Sequence, residues 1–149
     1  MSDFFKNATP GDSTGFMLWK VNNLWQREIK RTLKRYDLTH TQFVILASAY
    51  WLSNQNKMIT QVEIANFIKI DKMMTSNVIR ALLRKKLIDR TEHATDTRAK
   101  VIKLTDKGID ILKMSVAEVE DFDRIFFSQL SSSTNFNGEL LRILNKHNG

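Results

Sequence analysis

Apolar residues recur along this chain with two different periods, and the change of period marks out its parts. Leu18, Val21, Trp25, Ile29, Leu33 and Tyr36 advance by three or four residues, which predicts a long amphipathic helix with one apolar stripe. The turn-rich segment NATPGDSTG, which holds the only proline, places the start of that helix after Gly15. In DLTHTQFVILASAYWLS the apolar run is almost unbroken after Thr39, a suitable N-cap, so a second helix buried on most sides is expected. ITQVEIANFI carries Thr60 and Glu63 at the spacing of a capping box, in which each side chain takes the other's free backbone N–H. A short helix over Gln61 to Phe67 follows. Asp71 can cap the next helix, which runs to Lys85 with Met74, Val78 and Leu82 on its inner face. Two short helices with a tight break between them form a helix-turn-helix pattern.

Beyond Lys86 the period drops to that of a strand. LIDRTEH and KVIKL are short β-branched or alternating runs that flank the polar tip TDTRAK, so they read as a two-stranded hairpin, a wing. Thr105 can cap a further helix whose Leu112, Val116, Val119, Phe122 and Phe126 return to helical spacing. A helix from Asp106 to Ser128 would be about 34 Å long, more than a small winged core can cover. SSSTNFNG breaks it, and ELLRILNKH supplies a terminal helix with Leu140, Leu141 and Leu144 to bury. The expected fold is mainly α with a small β-hairpin wing. The 149 residues suit a single domain per subunit, 1–149, with a winged helix-turn-helix over 39–104 and a helical dimerisation region over 14–38 and 105–149.

Charge narrows the partner. Twenty-three Lys and Arg against sixteen Asp and Glu give +7 and a pI near 9.8, which suits nucleic acid or an acidic membrane face. No helix reads as concentrating Lys and Arg opposite a wide apolar face, so the membrane ranks last and no membrane partner is expected. Cysteine is absent, which removes disulfides, thiol redox sensing and thiolate metal sites. His40, His93 and His147 lie far apart with no ligand-like spacing, so neither a metal site nor a cofactor is expected. With no glycine-rich phosphate loop, no H-E-x-x-H and scattered acids, an enzyme is not expected. The start shows no basic segment followed by an apolar block, and no apolar run reaches the ~18 residues of a membrane span, so a soluble cytoplasmic protein is the expectation.

With these elements in order, LTHTQFVIL, DKMMTSNVIRALLRKKLIDR and DTRAKVIKLTDKG resemble the corresponding segments of the MarR family of bacterial winged helix-turn-helix transcription regulators. The resemblance runs through nearly the whole chain. It implies a homodimer built from the first, fifth and sixth helices, double-stranded DNA as partner, an inverted-repeat operator, repression of transcription, and release by a small aromatic or anionic effector. Two positions depart from the family pattern: Lys86 stands where most relatives carry Gly, and Asn77 where Arg or a similar base is common.

Within this frame the site residues follow from chemistry. Lys72, Thr75, Ser76, Asn77 and Arg80 on the recognition helix offer donors and acceptors of the kind that base edges in the major groove require. Met73 suits a thymine methyl or, together with Met74, the core. Any exposed helix presents such residues; the capped helix before and the wing after them favour the reading role. Arg98 at the hairpin tip suits a narrow minor groove, with Asp96 positioned to orient it, and as the resemblance implies the two act together. Lys100, Arg90 and Lys103 read as phosphate contacts or solvation. Trp25, Tyr36 and His40, with Phe43 and Trp51, line either an effector pocket or an ordinary core and dimer interface. A regulator without a ligand, and a winged-helix protein-interaction module, are the alternative functions.

Overall fold

The computed structural model describes residues 4–7, 9–55 and 58–147. After a single 3-10 turn at Pro10–Asp12, the chain runs α1 (Thr14–Lys34), α2 (His40–Gln55), β1 (Ile59–Thr60), α3 (Gln61–Ile68), α4 (Lys72–Arg84), β2 (Ile88–Glu92), β3 (Lys100–Leu104), α5 (Asp106–Phe126) and α6 (Ser133–Lys146). The strands form one antiparallel sheet in the order β1-β3-β2. Arg90 faces Ile102 across β2 and β3, and Ile59 faces Ile102 from the other side.

Side-chain caps set the helix starts. Thr39 and Gln42 bond reciprocally at 3.1 and 3.2 Å ahead of α2, and Thr60 and Glu63 do the same at 3.2 and 3.3 Å ahead of α3. Asp71 Oδ1 accepts from Met74 N at 2.7 Å, and Thr105 Oγ1 accepts from Gly108 N at 3.0 Å. Helix ends use left-handed residues that are not glycine: Asp37 (φ 54°), Lys69 (φ 63°) and Lys86 (φ 61°). At Lys86 the cap closes with Leu87 N donating to Leu82 O at 3.1 Å, the six-to-one bond of a Schellman end, so Lys adopts the conformation that glycine adopts more easily.

One core joins the parts. Ile29 and Leu33 of α1, Ile45 and Leu46 of α2, Ile64 of α3, Ile79 and Leu82 of α4, Ile88 and Ile102 of the sheet and Leu112 of α5 are buried together. The apolar stripe of α1 splits in two: Ile29 and Leu33 are buried, while Leu18 and Val21 remain exposed together with Phe16, Met17, Trp19 and Leu24. α6 starts at Ser133, earlier than the sequence pattern suggests, because Ser132 Oγ caps it through Asn135 N at 3.1 Å. None of its residues is buried; Leu140, Leu141 and Leu144 lie exposed. Among the described residues no helix is long and apolar enough to cross a membrane.

Candidate nucleic-acid interface

α4 presents a mixed polar surface because its core contacts repeat at helical spacing. Thr75, Ile79 and Leu82 are its buried positions, a stripe at i, i+4 and i+7. Lys72, Met73, Asn77 and Arg80 are exposed and Ser76 is half-buried. The expectation for Thr75 is corrected: it is 0% exposed, and its hydroxyl donates to the Asp71 carbonyl at 2.9 Å. That bond satisfies the only polar group of the side chain, so its methyl packs inward and Thr75 cannot reach a base edge. Met74, assigned to the inner face by the sequence pattern, lies outside beside the 76%-exposed Met73; the phase set by Ile79 and Leu82 leaves it no place in the core.

Ser76, Asn77 and Arg80 form a connected cluster. Arg80 donates one guanidinium N–H to Ser76 Oγ at 3.0 Å and another to Asn77 Oδ1. With its oxygen engaged, Asn77 keeps its amide N–H groups for a partner, which suits the acceptor-rich edge of guanine.

The wing tip is a turn held by side chains. His93 N donates to Ala99 O at 2.9 Å and Ala99 N to Asp96 O at 3.0 Å. His93 Nδ1 accepts from Thr95 N and Asp96 N at 3.2 and 3.3 Å, a role for this histidine that the sequence reading passes over. Asp96 Oδ1 accepts from Arg98 N at 3.1 Å and lies 3.7 Å from Arg98 Nε. The Arg98 side chain is 95% exposed. An ion pair so open contributes little to stability; its effect is to restrict where the guanidinium points. Lys100 is half-buried, with Nζ 3.6 Å from Glu92 Oε1, and Arg90 reaches Gln61 Oε1 at 3.5 Å.

A tight joint ties the wing to α5. Thr105 N donates to Leu87 O at 3.1 Å and Thr105 Oγ1 to Lys86 O at 2.8 Å. Gly108 backs onto the same peptide: a Cβ there would lie 2.0 Å from Leu87 O. Glycine is required at that position by close approach, the backbone angle being ordinary.

Of the three residues assigned to an effector pocket, Trp25 and His40 are in contact, and Tyr36 engages a different acid of α5. Trp25 Nε1 donates to Asp123 Oδ1 at 2.8 Å, and the indole meets His40 edge-on with centroids 5.0 Å apart. His40 Nδ1 lies 2.6 Å from Gln26 Oε1. Burial pushes the His40 imidazole below its ordinary value, against the opposing effect of the Asp123 carboxylate. Tyr36 lies apart, its phenol raised chiefly by the hydrogen bond to Glu118, which also pairs with Arg35 at 2.5 Å. These aromatics join α1 to α2 and α5. A separate apolar cleft of about 510 Å³ lies between α2, α3 and α5, where Trp51 stacks on Phe67 at 5.6 Å beside Tyr50 and Lys113.

Residues 34–122 match the family model described as the ArnR1-like winged-helix domain. The uncharacterized HTH-type transcriptional regulator YdcH of Bacillus subtilis (strain 168) is 34% identical over 142 residues, covering 95% of this chain and 96% of YdcH. The crystal structure of S. aureus MepR in complex with DNA superposes with a TM-score of 0.80 at 26% identity, over 93% of this chain and 99% of that one. That of a cysteine-substituted E. coli MarR complexed with operator DNA gives 0.77 at 25%, over 97% and 98%. The chain belongs to the MarR family of winged helix-turn-helix transcriptional regulators. In this MarR-family regulator the winged-helix match runs from the last residue of α1 into α5, and α3 and α4 are the two short helices of the helix-turn-helix. The similarity extends beyond the winged helix into α1, α5 and α6, since each alignment covers more than nine-tenths of the chain.

Proposed function

We propose that this regulator is a cytoplasmic homodimer that binds an inverted-repeat operator in double-stranded DNA and represses transcription from it. The observation that carries the reading is the exposed cluster Ser76–Asn77–Arg80 on α4, next in sequence to a wing that ends in the projecting Arg98. Asn77 and Arg80 supply donors for base edges, Lys72 and Lys100 reach phosphates, and Arg98 enters the minor groove, where a narrow width concentrates negative potential. The residues at 1–149 act as one domain per subunit. A second copy covers the exposed apolar residues of α1 and α6, which an isolated chain would leave in water.

The effector is a small aromatic anion. The stacked Trp51 and Phe67, with Lys113 at the cleft wall, support a ring between apolar walls and a carboxylate on the ammonium. Such a ligand releases DNA only by binding the non-reading arrangement of the two heads more tightly. Selection from a randomised duplex pool tests the DNA reading. The expected product is an inverted repeat with half-sites about one helical turn, 10–10.5 bp, apart and two chains bound. A single unrepeated half-site under one chain contradicts the dimer; an unenriched pool contradicts sequence-specific reading and favours a protein-interaction module. Operator affinity that no member of a benzoate series alters favours the ligand-independent regulator.

A further inference from the structure

We propose that the groove between the C-terminal half of α1 and the start of α2 binds a small organic anion carrying two or more phosphate groups. This inference stands apart from the DNA reading of α4 and the wing. The groove encloses about 790 Å³, and its walls carry Arg27, Lys30 and Lys34 of α1, His40 of α2, and Lys85, which follows α4; Asp37 is its one carboxylate.

α1 is strongly basic. Lys20, Arg27, Lys30, Arg31, Lys34 and Arg35 stand on this helix and its cap against a single acid, Glu28, a concentration the sequence reading overlooks. Like charges three and four residues apart on a helix repel and destabilise it, and a polyanion lying along them relieves that repulsion. Glu28 takes Arg27 and Arg31, with contacts of 3.7 and 3.1 Å. Neither Lys30 nor Lys34 has a carboxylate within ion-pair distance among the described residues, so both ammonium groups are free for a ligand.

Arg27, Lys30 and Lys34 follow at i, i+3 and i+7 and therefore share one face. Lys85 approaches from another element, its Nζ held by Gln42 Oε1 at 2.8 Å and by the Asp37 carbonyl and within 3.7 Å of Asp37 Oδ2, so it adds a fixed positive charge while Lys30 and Lys34 supply the free donors. Cations on two sides of a groove suit several phosphates better than one carboxylate. The carbon stems of these side chains, with Leu38, give a nonpolar lining for an organic body. A membrane surface does not fit, because Ile29 and Leu33 on the other side of the same helix segment are at 0% exposure inside the core. The dimer contact does not fit either, since covering unpaired lysines would cost their hydration.

Calorimetric titration of the full-length protein with sodium tripolyphosphate and with ATP tests this, using the wild type, the double variant Lys30→Gln/Lys34→Gln and the double variant Arg80→Ala/Arg98→Ala. The lysines are exposed, so circular dichroism of their variant should match the wild type. Both probes are expected to bind the wild type, to bind Lys30→Gln/Lys34→Gln at least about tenfold more weakly, and to bind Arg80→Ala/Arg98→Ala unchanged. No binding to the wild type, undiminished binding to the lysine variant, or loss in the arginine variant would overturn the proposal. Tripolyphosphate binding without ATP binding would overturn the organic part. If neither probe binds and the lysine variant instead lowers the salt slope of duplex affinity by about two, the groove holds DNA backbone and the proposal fails.

Discussion

Gly108→Ala should weaken the protein although it replaces glycine by the best helix former inside a helix. The new Cβ would lie 2.0 Å from the carbonyl oxygen of Leu87 and 3.0 Å from its carbonyl carbon, so wing and α5 must separate by more than an ångström. Leu87 is only 2% exposed and its oxygen accepts from Thr105 N; the neighbour that must yield is buried backbone. Overpacking of this kind costs about 3 kcal/mol at the upper end of its usual range, and loss of the Thr105–Leu87 bond adds about 1 kcal/mol. Helix propensity returns about 1 kcal/mol. The net loss is about 3 kcal/mol, equivalent to a fall of roughly 6–12 °C in Tm for a chain of this size. Urea and thermal unfolding followed by circular dichroism, at one fixed protomer concentration because the proposed dimerisation would contribute to stability, give the comparison. A variant as stable as the wild type, or more stable, would show that helix propensity governs the position and that the joint is looser than the structure has it.

Lys86→Gly should stabilise the fold by about 1 kcal/mol, because Lys86 sits at φ 61° without a glycine's freedom; an unchanged or lower midpoint in urea contradicts this. His40 gives a pH dependence. Its folded-state value is depressed, so the unfolded chain takes up protons first, and stability is full above about pH 6.5 and falls as the pH drops below it. Thermal midpoints between about pH 7.5 and 5 should decline in the wild type and decline less in His40→Gln; parallel curves contradict the assignment. For the bases, Asn77→Ala and Arg80→Ala should each cost about 1–3 kcal/mol and relax preference at single operator positions. Thr75→Val, with its side chain at 0% exposure, should leave the preferred sequence unchanged, and a shifted preference would show that Thr75 reads DNA after all.

The helices were legible because their signals are local. Thr39, Thr60, Asp71 and Thr105 each announce a helix start, and each makes the capping bond its residue type suggests. β1 escaped because two residues, Ile59 and Thr60, are too few for a period; only their pairing with Ile102 and Val101 makes them a strand. On α4 the inner face holds Leu82 as expected, with Val78 packed at its border, but at the helix start Thr75 takes the inner place expected of Met74. Thr75 looks polar in sequence, and nothing local shows that its hydroxyl is spent on the Asp71 carbonyl. His93 was overlooked for the same reason, since its acceptor role depends on the fold of the turn. Of Trp25, Tyr36 and His40, aromatics near one another in sequence, Trp25 and His40 do meet, while helix phase sends Tyr36 to Glu118.

The central claim is that α4 and the wing read a particular DNA sequence. Fluorescence anisotropy tests it directly, with duplex from upstream of the protein's own gene and a scrambled duplex at about 150 mM salt, for the wild type and Arg98→Ala. The expected result is a native duplex bound at least about a hundred-fold more tightly than the scrambled one, with Arg98→Ala losing about 1–3 kcal/mol on it. Equal, weak binding of both duplexes by the wild type, unaltered in Arg98→Ala, would contradict the claim.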